Sequence, residues 1–250
     1  MNVLKANIIN ELQKLFLKRK ILVLFILVAA ACFIPAFFIT SIQTRLVYLS
    51  LSSMSFPLMV LSVFTNVFLP LFIFMAAAEL FAGEVGSKSL KLVLLRPISR
   101  FKVFASKNIA LSVYIIINLL VVFVVSILSC IVLNEVAILQ NISHITFAYF
   151  IDIIPAIILA VFSTFLVQFF RTSSASLIAC VLLYMVIRIL SLFISSINNA
   201  LFTSYLNWYS IWHISGAGSL RSINLLFMLL AYGIIFFTLG YYLFDKKEVW

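Results

Sequence analysis

Long apolar runs separated by short basic stretches set the pattern of this chain. The runs fall near 21–40, 57–80, 109–133, 147–170, 173–194 and 222–244. About 20 apolar residues, at about 1.5 Å each, cross a hydrocarbon core of about 30 Å, so every run is long enough to span a bilayer. Unpaired backbone groups are costly in lipid, so the runs predict helices; the alternation of a membrane barrel is absent. The first 20 residues differ. Leu4, Ile8, Leu12, Leu15 and Phe16 follow one helical stripe, with Lys14 and Lys18 off it, which predicts an amphipathic helix in the headgroup layer. Residues 195–221 are too polar for a full span, but carry Phe202, Tyr205, Trp208, Tyr209 and Trp212 before Gly216 and Gly218. An outer re-entrant hairpin or an ordinary aromatic belt both fit. The expected fold class is an all-α polytopic membrane protein with six transmembrane helices, built as a single transmembrane domain over 1–250. An amino-terminal amphipathic interfacial helix precedes the spans, and a re-entrant outer hairpin precedes the last one. Pro35, Pro70 and Pro155 fall inside spans and are expected to kink them.

Composition sharpens this. The 250 residues are 65% hydrophobic and 10% charged, against about 45–50% and about 25% in soluble domains. A water-soluble globule is excluded, and little chain remains for a soluble catalytic domain. The net charge of +10 would suggest nucleic acid on a soluble protein. Here the bases flank apolar runs, so no nucleic-acid partner is expected, and the positive-inside rule orients the chain. All of the 17 Lys and Arg except Arg45, Arg188 and Arg221 fall on one side, which predicts both termini cytoplasmic in a multi-pass plasma-membrane protein. Cys32, Cys130 and Cys180 each lie within an apolar run, where small buried thiols are expected rather than disulfides.

Catalytic chemistry finds little support. Gly83-Glu84-Val85-Gly86-Ser87-Lys88-Ser89 has the look of a phosphate loop, but that loop needs its second glycine directly before the lysine, and Ser87 intervenes. His144 and His213 join no H-E-x-x-H run or cysteine cluster, and G-x-S-x-G is missing. No catalytic or metal-ligating residue is expected. Asp152 and Arg188 are the ionisable residues inside spans, at similar depth on neighbouring antiparallel helices. They make a candidate intramembrane pair, with snorkelling of Arg188 to the headgroups as the alternative.

The most informative stretch is 81–108, a loop placed in the cytoplasm by the charge count. Leu90 to Leu95 is a short apolar run with Lys91 and Arg96 around it, Pro97 ends it, and Ser99 is placed to cap the helix that follows. A short helix of this kind suits either a partner's groove or the lipid surface. Glu84, Gly86, Ser89 and Leu90, then Arg96-Pro97-Ile98-Ser99-Arg100, Phe101 and Lys107, resemble the first cytoplasmic loop of permease subunits of ABC-2 type ATP-binding-cassette transporters. The ending Leu243-Phe244-Asp245-Lys246-Lys247-Glu248 is similar to that family's closing segment.

The resemblance implies a permease subunit of an ATP-driven exporter, itself not an enzyme, paired with a second permease chain as a homodimer. A separate ATPase subunit, carrying ATP and Mg, would dock on this loop, with no cofactor on this chain. Leu90, Leu92 and Leu94 would meet the ATPase; Arg96, Arg100 and Lys107 would anchor the loop, Glu84 would pair with one of these bases, and Gly86, Pro97 and Phe101 complete the coupling set. The apolar spans suit a hydrophobic or amphipathic cargo, with an antimicrobial or toxin peptide first and a lipid or drug next. The rival classes are an ATP-independent ion channel or carrier and a non-transporting membrane immunity or scaffold protein.

Overall fold

Helix is the only regular structure among the described residues of the computed structural model, which are 3–17, 56–90, 98–132, 142–193, 201–210 and 220–247. The expected first span at 21–40, Lys18, Leu92, Leu94, Arg96, Pro97 and the glycines at 216 and 218 lie outside these residues. In chain order the helices are α1 (Val3–Phe16), α2 (Phe56–Val63), a π-helical turn (Phe64–Phe68), α3 (Leu69–Leu80) and α4 (Ala82–Gly86). Then come α5 (Arg100–Val132), α6 (Ile142–Ile151), α7 (Ile153–Val167), α8 (Ser173–Phe193), a 3₁₀ turn (Phe202–Tyr205) and α9 (Leu220–Asp245).

Among the described residues five stretches are long and apolar enough to cross a membrane: Phe56–Gly86, Arg100–Ile131, Ile142–Val167, Ser173–Ser191 and Ser222–Asp245. The second starts nine residues before the apolar run near 109, because Arg100 to Asn108 continue the same helix, with Val103, Phe104, Ser106, Lys107 and Asn108 buried.

Proline shapes two of these stretches. Pro70 has no N–H for the Asn66 carbonyl four residues back. The chain widens there into the π turn, with the Leu69 N–H reaching the Phe64 carbonyl, and the Tyr184 hydroxyl donates to the Asn66 carbonyl at 3.1 Å. Pro155 likewise leaves the Ile151 carbonyl without its donor, and the helix breaks beside it at Asp152 into α6 and α7.

α7 is the central element, with α3, α5 and α9 packed around it. α9 approaches it closely at Gly240, where an added Cβ would stand 3.1 Å from Phe104 and 3.5 Å from the Phe165 backbone. The core at that end is aromatic. Phe104 meets Phe81, Phe237, Tyr241 and Phe244 at centroid distances of 5.2–6.0 Å, mostly edge-on or tilted. α8 leans on α3 with one side only, and Ile178, Leu182, Met185 and Phe193 on its other side are more than half exposed.

α1 packs along α5, and of the apolar stripe only Leu15 is fully buried, in line with two polar residues. Asn7, Glu11 and Leu15 are the buried positions, while Leu4, Ile8, Leu12 and Phe16 are only partly covered and Ile9 and Leu17 are exposed. A polar row turned inward requires polar partners inside.

Candidate functional site

Those partners form a closed ring of four charges where α1, the α3–α4 joint and the first turns of α5 meet. Glu11 and Lys14 come from α1, Glu84 from α4 and Lys107 from α5. Lys14 Nζ donates to Glu11 Oε1 at 2.9 Å and to Glu84 Oε1 at 2.8 Å. Lys107 Nζ donates to the remaining oxygens, Glu11 Oε2 at 2.9 Å and Glu84 Oε2 at 2.8 Å. Each carboxylate bridges two ammonium groups, and each ammonium bridges two carboxylates.

The ring lies at the edge of the apolar core. The Lys107 side chain is 0% exposed, Glu11 4% and Glu84 10%, while Lys14 at 35% closes the ring toward the outside. Three ammonium hydrogens need three acceptors, and Lys107 finds its third in the Leu80 carbonyl at 2.9 Å, at the joint where α3 gives way to α4. Its Nζ also stands 5.6 Å from the centroid of the Phe81 ring. Burial pulls the Lys14 pKa down, but its bonds to Glu84 and Glu11 and their charges outweigh this and hold it above the ordinary lysine value.

The rest of this end is fastened around the ring. Gly86 closes α4 so near the turn between α7 and α8 that an added Cβ would lie 2.9 Å from the Arg171 carbonyl oxygen. Arg100 donates to the Asp245 carbonyl and, at 3.4 Å, to that of Lys247, so a cation sits on the last carbonyls of α9. Lys247 donates to the Gln168 carbonyl at 2.9 Å, doing the same for α7. Phe101 is half exposed, with its ring edge-on to Tyr241 at 5.4 Å.

Among the sequence candidates, Glu84 and Lys107 come together in the ring, and Gly86, Arg100 and Phe101 lie around it. Leu90 is 2% exposed and packs inside this chain's own core, so its side chain is consumed internally rather than presented to a partner. Leu92, Leu94, Arg96 and Pro97 are outside the described residues. Glu11 and Lys14 escaped sequence reasoning. Their signal was the i, i+4, i+7 spacing of Asn7, Glu11 and Lys14, a polar row on a helix whose apolar residues drew the attention.

At the opposite end of the bundle the structure does not bring Asp152 and Arg188 together. Asp152 Oδ1 accepts from the Tyr209 backbone N–H at 3.0 Å. Arg188 Nη2 donates to Asn66 Oδ1, and its Nε to the Tyr184 hydroxyl at 3.2 Å. The two ends of the expected pair face different elements, α7 toward the segment over 201–210 and α8 toward the π turn. That segment is buried, with Trp208 at 0% exposure, Phe202 edge-on to Phe162 at 5.1 Å and Asn207 donating to Ser62 at 3.0 Å. Ser62, Thr65 and Asn66 are thus the polar face of an otherwise apolar span, each engaged by another element.

Among the described residues no group of three or more His, Cys, Asp or Glu is arranged to hold a metal ion. Compared with known proteins, residues 6–249 match the sequence model of a family described as ABC-2 family transporter protein. No curated protein matches the chain.

Proposed function

The chain belongs to the ABC-2 transporter family, and on that premise we propose that it is the permease subunit of an ATP-driven exporter whose charge ring transmits movement from a separate ATPase to the spans. The observation that carries this is the ring itself. It joins three segments that the ATPase side of such a machine must move together: the amino-terminal helix, the start of the loop over 81–108 and the first turns of α5. Four charges that saturate one another make a rigid joint, because moving one helix alone strips a buried charge of a partner. Force applied to the loop is therefore passed to α1 and α5 rather than dissipated.

In this scheme the ATPase, with its ATP and Mg, docks on the cytoplasmic loop through Leu92 and Leu94, with Arg96, Pro97 and Arg100 at the rim. Glu84, Gly86, Phe101 and Lys107 hold the loop to the spans, and Leu90 roots it in the core. Two copies of the chain form the path, with both termini cytoplasmic. The cargo is amphipathic or hydrophobic, a peptide before a lipid or drug, in keeping with exposed faces that carry aliphatic and aromatic groups almost alone.

Co-expression with candidate ATP-binding-cassette ATPase subunits tests the scheme. The wild-type chain is expected to retain the ATPase through purification, and Leu92→Glu and Leu94→Glu to lose it. Glu84→Gln is expected to keep the ATPase bound but to lose stimulation of ATP hydrolysis by cargo. No copurifying ATPase, or full stimulation in Glu84→Gln, overturns the scheme.

A further inference from the structure

The guanidinium of Arg188 is a cation set among lipid-facing apolar groups, and it meets only neutral oxygens among the described residues. Its Nε donates to the Tyr184 hydroxyl at 3.2 Å and its Nη2 to Asn66 Oδ1. The partners are themselves held: the Tyr184 hydroxyl donates to the Asn66 carbonyl at 3.1 Å, and the Asn66 amide to the Ser62 carbonyl at 2.8 Å. The Nε–Nη2 edge of the fork is thereby fixed in direction, whereas Nη1 has no protein acceptor among the described residues. Arg188 is partly exposed, and Met185 and Ile189 beside it on α8 are exposed as well.

A buried or half-buried charge is costly in a bilayer unless an opposite charge meets it. The chain has only seven Asp and Glu, of which Glu11 and Glu84 belong to the ring at the other end and Asp152 faces Tyr209. Among the described residues no carboxylate meets Arg188, whose partners are the neutral oxygens of Tyr184 and Asn66. Arg188 lies five residues from the end of α8, about 7.5 Å at the rise of a helix, which is within reach of a headgroup layer.

We propose that Arg188, oriented by Asn66 and Tyr184, binds the phosphate of a membrane phospholipid in the leaflet opposite the charge ring. The remaining Nη1–Nη2 edge, away from Tyr184 and Asn66, presents two donors that match two phosphate oxygens. The acyl chains of the same lipid lie along the exposed apolar side of α8 past Met185, Leu182 and Ile178. The ligand class is a phosphodiester amphiphile, recognised by its phosphate and retained by its chains.

The test uses the full-length protein, delipidated in detergent and followed by thermal unfolding and native mass spectrometry. Phosphatidylglycerol is expected to raise the melting temperature and to appear as a bound adduct. Diacylglycerol, which lacks the phosphate, is expected to do neither; this arm needs no variant. Inorganic phosphate at millimolar concentration is expected to have no effect, and full reproduction of the shift by it would overturn the lipid assignment in favour of a small-anion site. Arg188→Gln is expected to weaken phosphatidylglycerol binding roughly ten- to hundredfold, the range of a lost charge-assisted hydrogen bond, and Arg188→Lys to keep part of it. Equal binding by wild type and Arg188→Gln, or an equal shift with diacylglycerol, overturns the proposal. So does displacement of the lipid by a short apolar peptide only when its carboxyl terminus is free.

Discussion

Removing one carboxylate from the charge ring has a cost that its geometry sets. In Glu84→Gln both Lys107 and Lys14 keep Glu11 as their only carboxylate, and four charges summing to zero become a net positive site beside an apolar core. Because the Lys107 side chain is 0% exposed, no water replaces the lost partner. Breaking a buried pair from one side costs about 3–5 kcal/mol. Lys107→Met falls in the same range, since Glu11 and Glu84 are then left with Lys14 alone. The double variant is the decisive one. Glu11 and Lys14 remain as a neutral pair at 2.9 Å, so the double cost should fall short of the summed single costs by about 2–3 kcal/mol, at the upper end of coupling between contacting residues. Lys14→Met should cost less than Lys107→Met, because its side chain is 35% exposed and solvent screens part of the loss. Each variant, purified in the same detergent, is followed by tryptophan fluorescence through thermal and chaotrope unfolding. Single costs that add in the double variant to within about 0.5 kcal/mol would refute the closed ring as an energetic unit. The pH dependence gives an independent sign. The Lys14 pKa is raised above 10.5 in the folded protein, so its contribution is complete below that value and is lost as pH rises through the higher folded value. Wild type should lose stability above pH 10.5 more steeply than Lys14→Met.

Two further substitutions probe the packing at each end. Gly86→Ala would place a Cβ 2.9 Å from the Arg171 carbonyl oxygen, which forces the turn between α7 and α8 to move; lower thermal stability is expected, and unchanged unfolding would contradict the close approach. Tyr184→Phe keeps the ring contact with Phe74, at 5.7 Å between centroids, but leaves the Asn66 carbonyl without its hydroxyl donor. A cost of about 1–3 kcal/mol is expected in the same unfolding assay, and a neutral result would show that the π turn satisfies that carbonyl by itself.

The spans from Phe56 onward were legible because lipid imposes one rule on every exposed position, and that rule is written directly in hydropathy. Rotation of a helix about its axis was much less legible. In α1 the apolar stripe through Leu4, Ile8 and Leu12 outweighed the polar row through Asn7 and Glu11, yet the polar row is what faces inward. Its reason lies far along the chain: Lys107 is 96 residues from Glu11, and Glu84 is 70 from Lys14. No local window contains such a contact. Glu84 and Lys107 were within reach because both lie in one basic loop with few acids to choose from. Asp152 and Arg188 show the limit from the other direction. Depth followed from counting residues, but the direction of each side chain depended on the break at Pro155 and the widened turn before Pro70.

That widened turn also constrains how the sequence can change in length. A residue added to or lost from an α-helix rotates everything beyond it by about 100°. Within Phe64–Phe68 a deletion would turn the α2 half of the span while the α3 half stayed fixed to the charge ring. Ser62 would leave Asn207, and the Pro57 carbonyl would leave the Tyr149 hydroxyl that donates to it at 3.1 Å. The residue count of these five positions therefore matters to the structure in its own right, separate from which amino acids fill them. Insertions and deletions here should be rarer among relatives than substitutions at the same sites.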